Sequence, residues 1–167
     1  EELAVSGGVT AAPSETKYWE LFWTDGEIGS GSIDDSYVWW TNEQLEGIRA
    51  TVLVDTFGMA KGIDLDSNAT TVYFTVDGCI GRVNAEGQDL KEVLCYSDDD
   101  DAASRRLADD DGTTGMQGLA LYEYDNKMYW VDASTGTLYG ADLEGTTDYW
   151  VVSDSFSTPI DVAVDER

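Results

Sequence analysis

Residues 129–140 read YWVDASTGTLYG, and residues 160–165 read IDVAVD. The first stretch sets aromatic and β-branched residues on both sides of a Ser-Thr-Gly turn. The second alternates apolar residues with small or acidic ones, which is the side-chain period of a half-buried strand. Both pieces recur along the chain. Residues 22–29 read FWTDGEIG and residues 74–81 read FTVDGCIG, with Phe, Asp, Gly, Ile and Gly coinciding. The alternating piece returns as KGIDLD at 61–66 and QGLALY at 117–122. In this reading Ile63, Leu119 and Val162 correspond, as do Leu65, Leu121 and Val164.

Each unit then contains four short strands. Strand A is the IDLD, LALY or VAVD piece, and strand B is FWTD, FTVD or YWVD. Strand C starts near Ile28, Ile80 or Leu138. Strand D is YVWWT (37–41), KEVLCY (91–96) or DYWVVS (148–153). The C–D turns are placed at Asp34-Asp35-Ser36, Glu86-Gly87-Gln88 and Glu144-Gly145-Thr146, whose residue types adopt turn conformations that strands do not. Four antiparallel strands repeating at roughly 40–55 residues predict an all-β chain of β-propeller blades. The organisation expected is an N-terminal segment at 1–20 and blades over 21–167: 21–60, 61–115, 116–158 and a closing strand at 159–167.

Composition narrows the chemistry. The 167 residues carry 34 Asp+Glu against 9 Lys+Arg, a formal charge of −25. Nucleic acid and anionic membrane both require a basic footprint, so neither is an expected partner. With no histidine, a Ser-His-Asp triad, a Cys-His pair and an imidazole-bound zinc are excluded. Two cysteines cannot make a four-thiolate site. A metal, if bound, would be a hard cation on oxygen ligands, calcium first. Disorder does not fit six Trp, nine Tyr and 42% apolar residues. No apolar run approaches membrane-spanning length, and no signal-peptide core is present, so membrane insertion is not expected.

FWTD, YWVD and LYGADLEGT resemble the low-density-lipoprotein-receptor class B repeat, the YWTD propeller, over roughly residues 20–167. The third copy matches best. The second has Thr75 where the motif Trp would stand, and the first lacks a basic residue in IGSGSI. The resemblance implies a six-bladed ring, of which this chain holds about three blades, and a noncatalytic role in protein binding or extracellular structure. The motif residues Phe22, Trp23, Asp25, Phe74, Asp77, Tyr129, Trp130 and Asp132 are read as scaffold: the Asp side chains accept backbone N–H groups, and the indoles fill space between blades.

Cys79 and Cys95 lie eight residues either side of Gly87, the expected C–D turn. A hairpin folded there sets them opposite one another, as a cross-strand disulfide needs; the alternative is a pair of buried thiols. A bridge implies an oxidising compartment. Asn68-Ala69-Thr70 is a glycosylation acceptor in the A–B turn. Together they point to a secreted, extracellular or lumenal location.

Two long connections, 42–57 and 97–114, link strand D to the next strand A. The first could hold an extra strand, and its Ile48-Arg49-Ala50 imitates a C strand, leaving the register of the first blade open. The second holds Asp98, Asp99, Asp100, Asp101, Asp109, Asp110 and Asp111 around Arg105-Arg106. It is a solvated loop, a cation-binding one, although the ligand spacing of a calcium loop is absent, or a site of proteolysis at the dibasic pair. Binding candidates are these aspartates with Trp39, Trp40, Tyr149 and Trp150, the aromatics being equally readable as blade packing. No cofactor is expected beyond calcium.

The ends decide the partner expectation. PIDVAVDER is a strand A with no strand B after it, and LFWTD a strand B with no secure strand A before it unless Glu2–Val5 supplies one. The chain is then a fragment, or a half-propeller that pairs with a second chain, or an open end for another partner; in each case exposed edges favour an oligomer or larger assembly. Two other functions are carried: a structural subunit of an extracellular filament or matrix, and a metal-dependent propeller hydrolase with Asp64 facing the central channel. Ala120 and Ala163 at the positions corresponding to Asp64 weigh against the last.

Overall fold

The alternating pieces become strands because only an extended chain turns every second side chain toward one side. The computed structural model describes the backbone of residues 9–13, 19–26, 36–42, 51–56, 60–76, 78–95 and 115–165, and the side chains of Leu53, 60–76, 78–95 and 115–165. Its strands form three antiparallel four-stranded sheets. The first contains β1 (Val9–Pro13), β2 (Trp19–Gly26), β3 (Ser36–Asn42) and β4 (Thr51–Thr56). The second contains β5 (Ala60–Leu65), β6 (Thr71–Val76), β7 (Cys79–Asn84) and β8 (Lys91–Cys95). The third contains β9 (Met116–Tyr122), β10 (Lys127–Asp132), β11 (Thr137–Asp142) and β12 (Trp150–Ser153). Each sheet is a simple meander in chain order, the construction of a propeller blade.

The first blade differs from its reading in sequence. YVWWT is its third strand, paired with β2 through Trp23↔Trp39 and Phe22↔Trp40. The fourth strand is Thr51–Thr56, and the first is Val9–Pro13 rather than Glu2–Val5. The blade therefore begins within the segment 1–20. With strand C placed at Ile28, the aromatic run falls in fourth place, whereas the ladder from β2 runs directly to it. Residues 159–165 form no ladder with a further strand, yet they hold a defined place, described below.

The ladders superpose the three blades residue by residue. Trp23 faces Trp39, Phe74 faces Gly81, and Trp130 faces Tyr139. Across the inner ladder, Phe74 is opposite Ile63 and Trp130 opposite Leu119. Phe74, not Thr75, thus occupies the motif Trp position, and Val76 stands where Asp132 does. In every blade the ladder between third and fourth strands slips by one residue at the same point, leaving Leu53, Val93 and Val152 as bulges.

Two apolar clusters hold the blades together. Leu53 of the first blade packs with Ile63, Val72, Phe74, Val76 and Val83 of the second. Tyr73 and Ile80 of the second pack with Met116, Leu119, Met128, Trp130 and Tyr139 of the third. Phe74, Ile80, Met128 and Trp130 are fully buried, and each such side chain contributes about 1.5–3 kcal/mol of transfer free energy. No helix among the described residues is long and apolar enough to cross a membrane.

Candidate binding surface

The turns between third and fourth strands fix how one blade meets the next. Asn84 Oδ1 accepts from Glu86 N (3.1 Å) and Gln88 N (2.7 Å). Asp142 Oδ1 does the same for Glu144 N (3.0 Å) and Thr146 N (2.9 Å). These bonds curl the turn so that Gly87 (φ +76°) and Gly145 (φ +62°) sit on the preceding blade. A Cβ on Gly87 would run into the carbonyl oxygen of Leu53, and one on Gly145 into that of Val93. Only glycine combines that φ with that approach. Both carbonyls belong to bulged residues, so each bulge presents a seat for the following blade. Asp142 also accepts from Thr147, and these hydrogen bonds hold its carboxyl well below the usual carboxylate range.

Polar side chains complete the joint. Thr75 Oγ1 accepts from Gly62 N (2.8 Å) and donates to Gln117 O (2.9 Å). Asp64 accepts from Leu65 N and, across the joint, from Leu121 N, each at 2.8 Å. The Asp64 carboxylate expected to face the channel is therefore spent on two backbone amides. It borders a cavity of about 420 Å³ with Ser67, Glu123 and Asp165, where Glu123 accepts from both Ser67 N and Ser67 Oγ. Arg82 reaches from the second blade to Glu144 (3.0 Å) and to Tyr73 Oη (3.3 Å); both ends are partly exposed, so this pair adds little.

The other motif residues divide between scaffold and surface. Asp132 is buried and its Oδ1 accepts from Ser134 N (2.8 Å), Ser134 Oγ (2.6 Å) and Thr135 N (3.0 Å). It shapes its own hairpin turn rather than tying strands across a joint. Tyr129 is half-buried beside it in β10. Phe22, Trp23 and Asp25 lie in β2, and Asp25 pairs with Tyr37; Asp77 lies outside the described residues. Cys79 and Cys95 face each other across β7 and β8, Cα atoms 4.0 Å apart, and form a disulfide. Their sulfurs and Glu92 are the one group of potential metal ligands gathered among the described residues, and bonded sulfurs are not thiolate ligands. Asn68 is exposed in the β5–β6 turn, with Thr70 Oγ1 donating to Asp66 (2.7 Å).

The aromatic binding candidates lie on two different blades. Trp39 and Trp40 are in β3 of the first blade. Tyr149 is half-buried, its ring edge-on to Trp130 (6.1 Å) and Tyr139 (5.5 Å), so it is packing. Trp150 is partly exposed and lies over Gly140. Asp98–Asp101 and Asp109–Asp111 lie outside the described residues. What the sequence reading missed is that Val151, Val152, Phe156 and Ile160, which follow Trp150 in the chain, are all exposed. The letters carried no signal for this, since Val152 matches Leu53, which is buried at the joint, only once the ladders align the two bulges.

Residues 126–166 match the family model described as low-density lipoprotein receptor repeat class B. No curated protein matches the chain. Among solved structures, the nidogen/laminin complex aligns at a TM-score of 0.62 and 19% identity, over 88% of this chain and 48% of that one. An auxiliary nutrient binding protein from Bacteroides thetaiotaomicron aligns at 0.58 and 14%, over 84% and 30%. Virginiamycin B lyase from Staphylococcus aureus aligns at 0.54 and 14%, over 92% and 44%. The chain spans about half or less of the length of these structures, and at such identities they share its fold alone. The chain is thus made of β-propeller blades, and its residues 126–166 match the low-density lipoprotein receptor class B repeat, as the YWTD resemblance implied.

Proposed function

We propose that the chain is a noncatalytic extracellular module that binds protein and works within a larger assembly. The observation that carries this reading is the exposure of large apolar side chains late in the described chain, Trp150, Val151, Val152, Phe156 and Ile160, where the second blade's Tyr73 and Ile80 are buried. The polar groups that could suggest catalysis are engaged in the scaffold: Asp64, Thr75 and Asp132 accept backbone amides. Similarity to a propeller solved in a nidogen/laminin complex supports a protein ligand. The Cys79–Cys95 bridge and the exposed Asn68 acceptor support secretion. On this reading no cofactor takes part, and calcium or manganese titration by calorimetry gives no heat beyond dilution.

The test is the native protein. Isolated from an extracellular fraction and mapped by mass spectrometry, it carries a glycan on Asn68 and an oxidised Cys79–Cys95 pair. Lysine cross-linking before digestion joins exposed Lys91 to a protein partner. A reduced, unglycosylated chain that cross-links to no protein contradicts the reading.

A further inference from the structure

The third sheet ends on two edges that differ. Beside its inner strand, residues 159–165 are in place: Gly118 N–H donates to Ile160 O (3.1 Å), and Asp161 presses so closely on Gly118 that no Cβ would fit. Its outer strand, β12, pairs with β11 and, among the described residues, with no other strand. A following blade does not change this. β4 and β8 are likewise the end strands of their sheets although another blade packs after each, because blades meet face to face and leave the outer edge free. Further blades stacked on the third would cover its face and not this edge.

The side chains on that edge are not those of the second blade. By ladder position Trp150, opposite Gly140, matches Lys91, opposite Arg82; Val151, opposite Tyr139, matches Glu92, opposite Gly81. Lys91 and Glu92 are exposed with the third blade in place. The exposure of Trp150 (38%) and Val151 (56%) therefore belongs to their position and not to a missing neighbour. Val151 also lies on the side toward the second blade, since its partner Tyr139 pairs with Trp130, which packs with Tyr73 and Ile80. Val152 is a different case, because its counterpart Val93 is partly buried against the third blade's cluster. A free edge offers unpaired N–H and C=O groups, and charged side chains there oppose the addition of another strand. Lys91 and Glu92 supply that protection in the second blade. β12, WVVS, has none. Its charges stand at the two ends, Asp148 before it and Asp154 after it, both exposed.

We infer that the β12 edge takes an extended segment of a protein partner as a fifth strand of the third blade. This rests on the protein-binding reading above and names the chemistry of its ligand. Main-chain hydrogen bonds supply the attraction, and Trp150 and Val151, on opposite sides of the sheet, cover apolar side chains that alternate along the added strand. The ends select its charge. Asp148 and Asp154 are six positions apart, about 20 Å of extended chain, so the fitting segment is a short apolar stretch with Lys or Arg at each end. The chain's charge of −25 draws such a segment and repels an acidic one. A second copy of this chain fits badly: β12 laid against β12 sets aspartate beside aspartate at both ends, whichever way the strands run.

The probe is the heptapeptide KVTVTVK, blocked at both ends, titrated into the isotope-labelled full chain while amide chemical shifts are followed. The expected shifts saturate, are largest at Trp150–Ser153, and need more peptide as salt is raised. The same peptide with proline at its centre, or with glutamate at both ends, gives no saturable shift. Val151→Lys gives the edge the protection that the second blade has; it keeps the parent's far-ultraviolet circular dichroism and loses the binding. Tyr124→Lys, 87% exposed between β9 and β10, adds the same charge away from the edge and retains it. No saturable shift with KVTVTVK overturns the inference, as do shifts centred elsewhere, equal binding of the proline peptide, or binding that survives Val151→Lys. A chain whose mass doubles without peptide and returns to one chain in Val151→Lys overturns it in favour of self-pairing. Each of these leaves the protein-binding reading standing; that reading falls separately, by a native chain that is reduced, unglycosylated and cross-linked to no protein.

Discussion

The second and third blades share one plan and differ in what lies on their outer faces. Toward the preceding blade they match: Val72, Phe74 and Val83 are buried in the second, Met128, Trp130 and Ala141 in the third. Toward the following blade they part, because among the described residues Tyr73 and Ile80 are buried under a further blade whereas Tyr129 and Leu138 are only half-buried. The difference teaches that a blade's sequence is written for two interfaces, and that an uncovered one is recognised by comparing a repeat with its own copies. Repeat proteins have this property because each unit's stability is shared with its neighbours.

The comparison can be broken first at the buried motif ring. Trp130→Ala and Phe74→Ala each cost about 3–5 kcal/mol by chemical denaturation, and similar losses confirm that the two rings hold the same position. A loss at Trp130 alone would separate the blades' plans. Next is the seat of the turn. Gly145→Ala and Gly87→Ala force a side chain at positive φ against a bulged carbonyl and cost at least about 1–3 kcal/mol each; a neutral result at either position removes that seat. Thr75→Val tests the polar joint. It strands the Gly62 N–H and the Gln117 carbonyl, for about 1–3 kcal/mol. The third blade has Val131 at the equivalent position, so Val131→Thr brings no comparable gain.

The smallest effect concerns acid. Asp142 has a depressed carboxyl pKa in the folded chain, so its contribution is full above the ordinary carboxylate range and is lost as pH falls below about 4. The second blade has Asn84 there, which does not titrate. Asp142→Asn keeps the acceptor and removes the titration, so thermal melts of the variant fall less between pH 5 and pH 3 than those of the parent. An unchanged slope would show that the Asp142 turn opens independently of unfolding.

Much of this was legible in the chain itself. Alternation at 61–66 and 117–122 placed the inner strands, and the spacing of Cys79 and Cys95 about Gly87 placed the hairpin and its disulfide. The register of strand B was not legible, because hairpins of different length join β6 to β7 and β10 to β11. Two residues separate Val76 from Cys79, and four separate Asp132 from Thr137. Aligning on Asp77 and Asp132 therefore slid the second blade by one position and set Thr75 in the place of Phe74. The bulges at Leu53, Val93 and Val152 carry no letter signature, since an aliphatic residue suits a bulge and a regular strand alike. Asp64 stands out in sequence as a carboxylate on the non-apolar side of an inner strand, but only the 2.8 Å bond from Leu121 N shows that it clamps one blade to the next.

The most direct test of the covered and open faces is a matched pair of charges, Ile80→Asp and Leu138→Asp, measured by urea denaturation at a dilution where the chain is single. A buried carboxylate without a partner is costly and a half-exposed one is not. The account predicts that Ile80→Asp unfolds the joint between second and third blades while Leu138→Asp costs no more than about 1–2 kcal/mol. Equal losses at the two positions would contradict it, because the third blade's outer face would then be as closed as the second's.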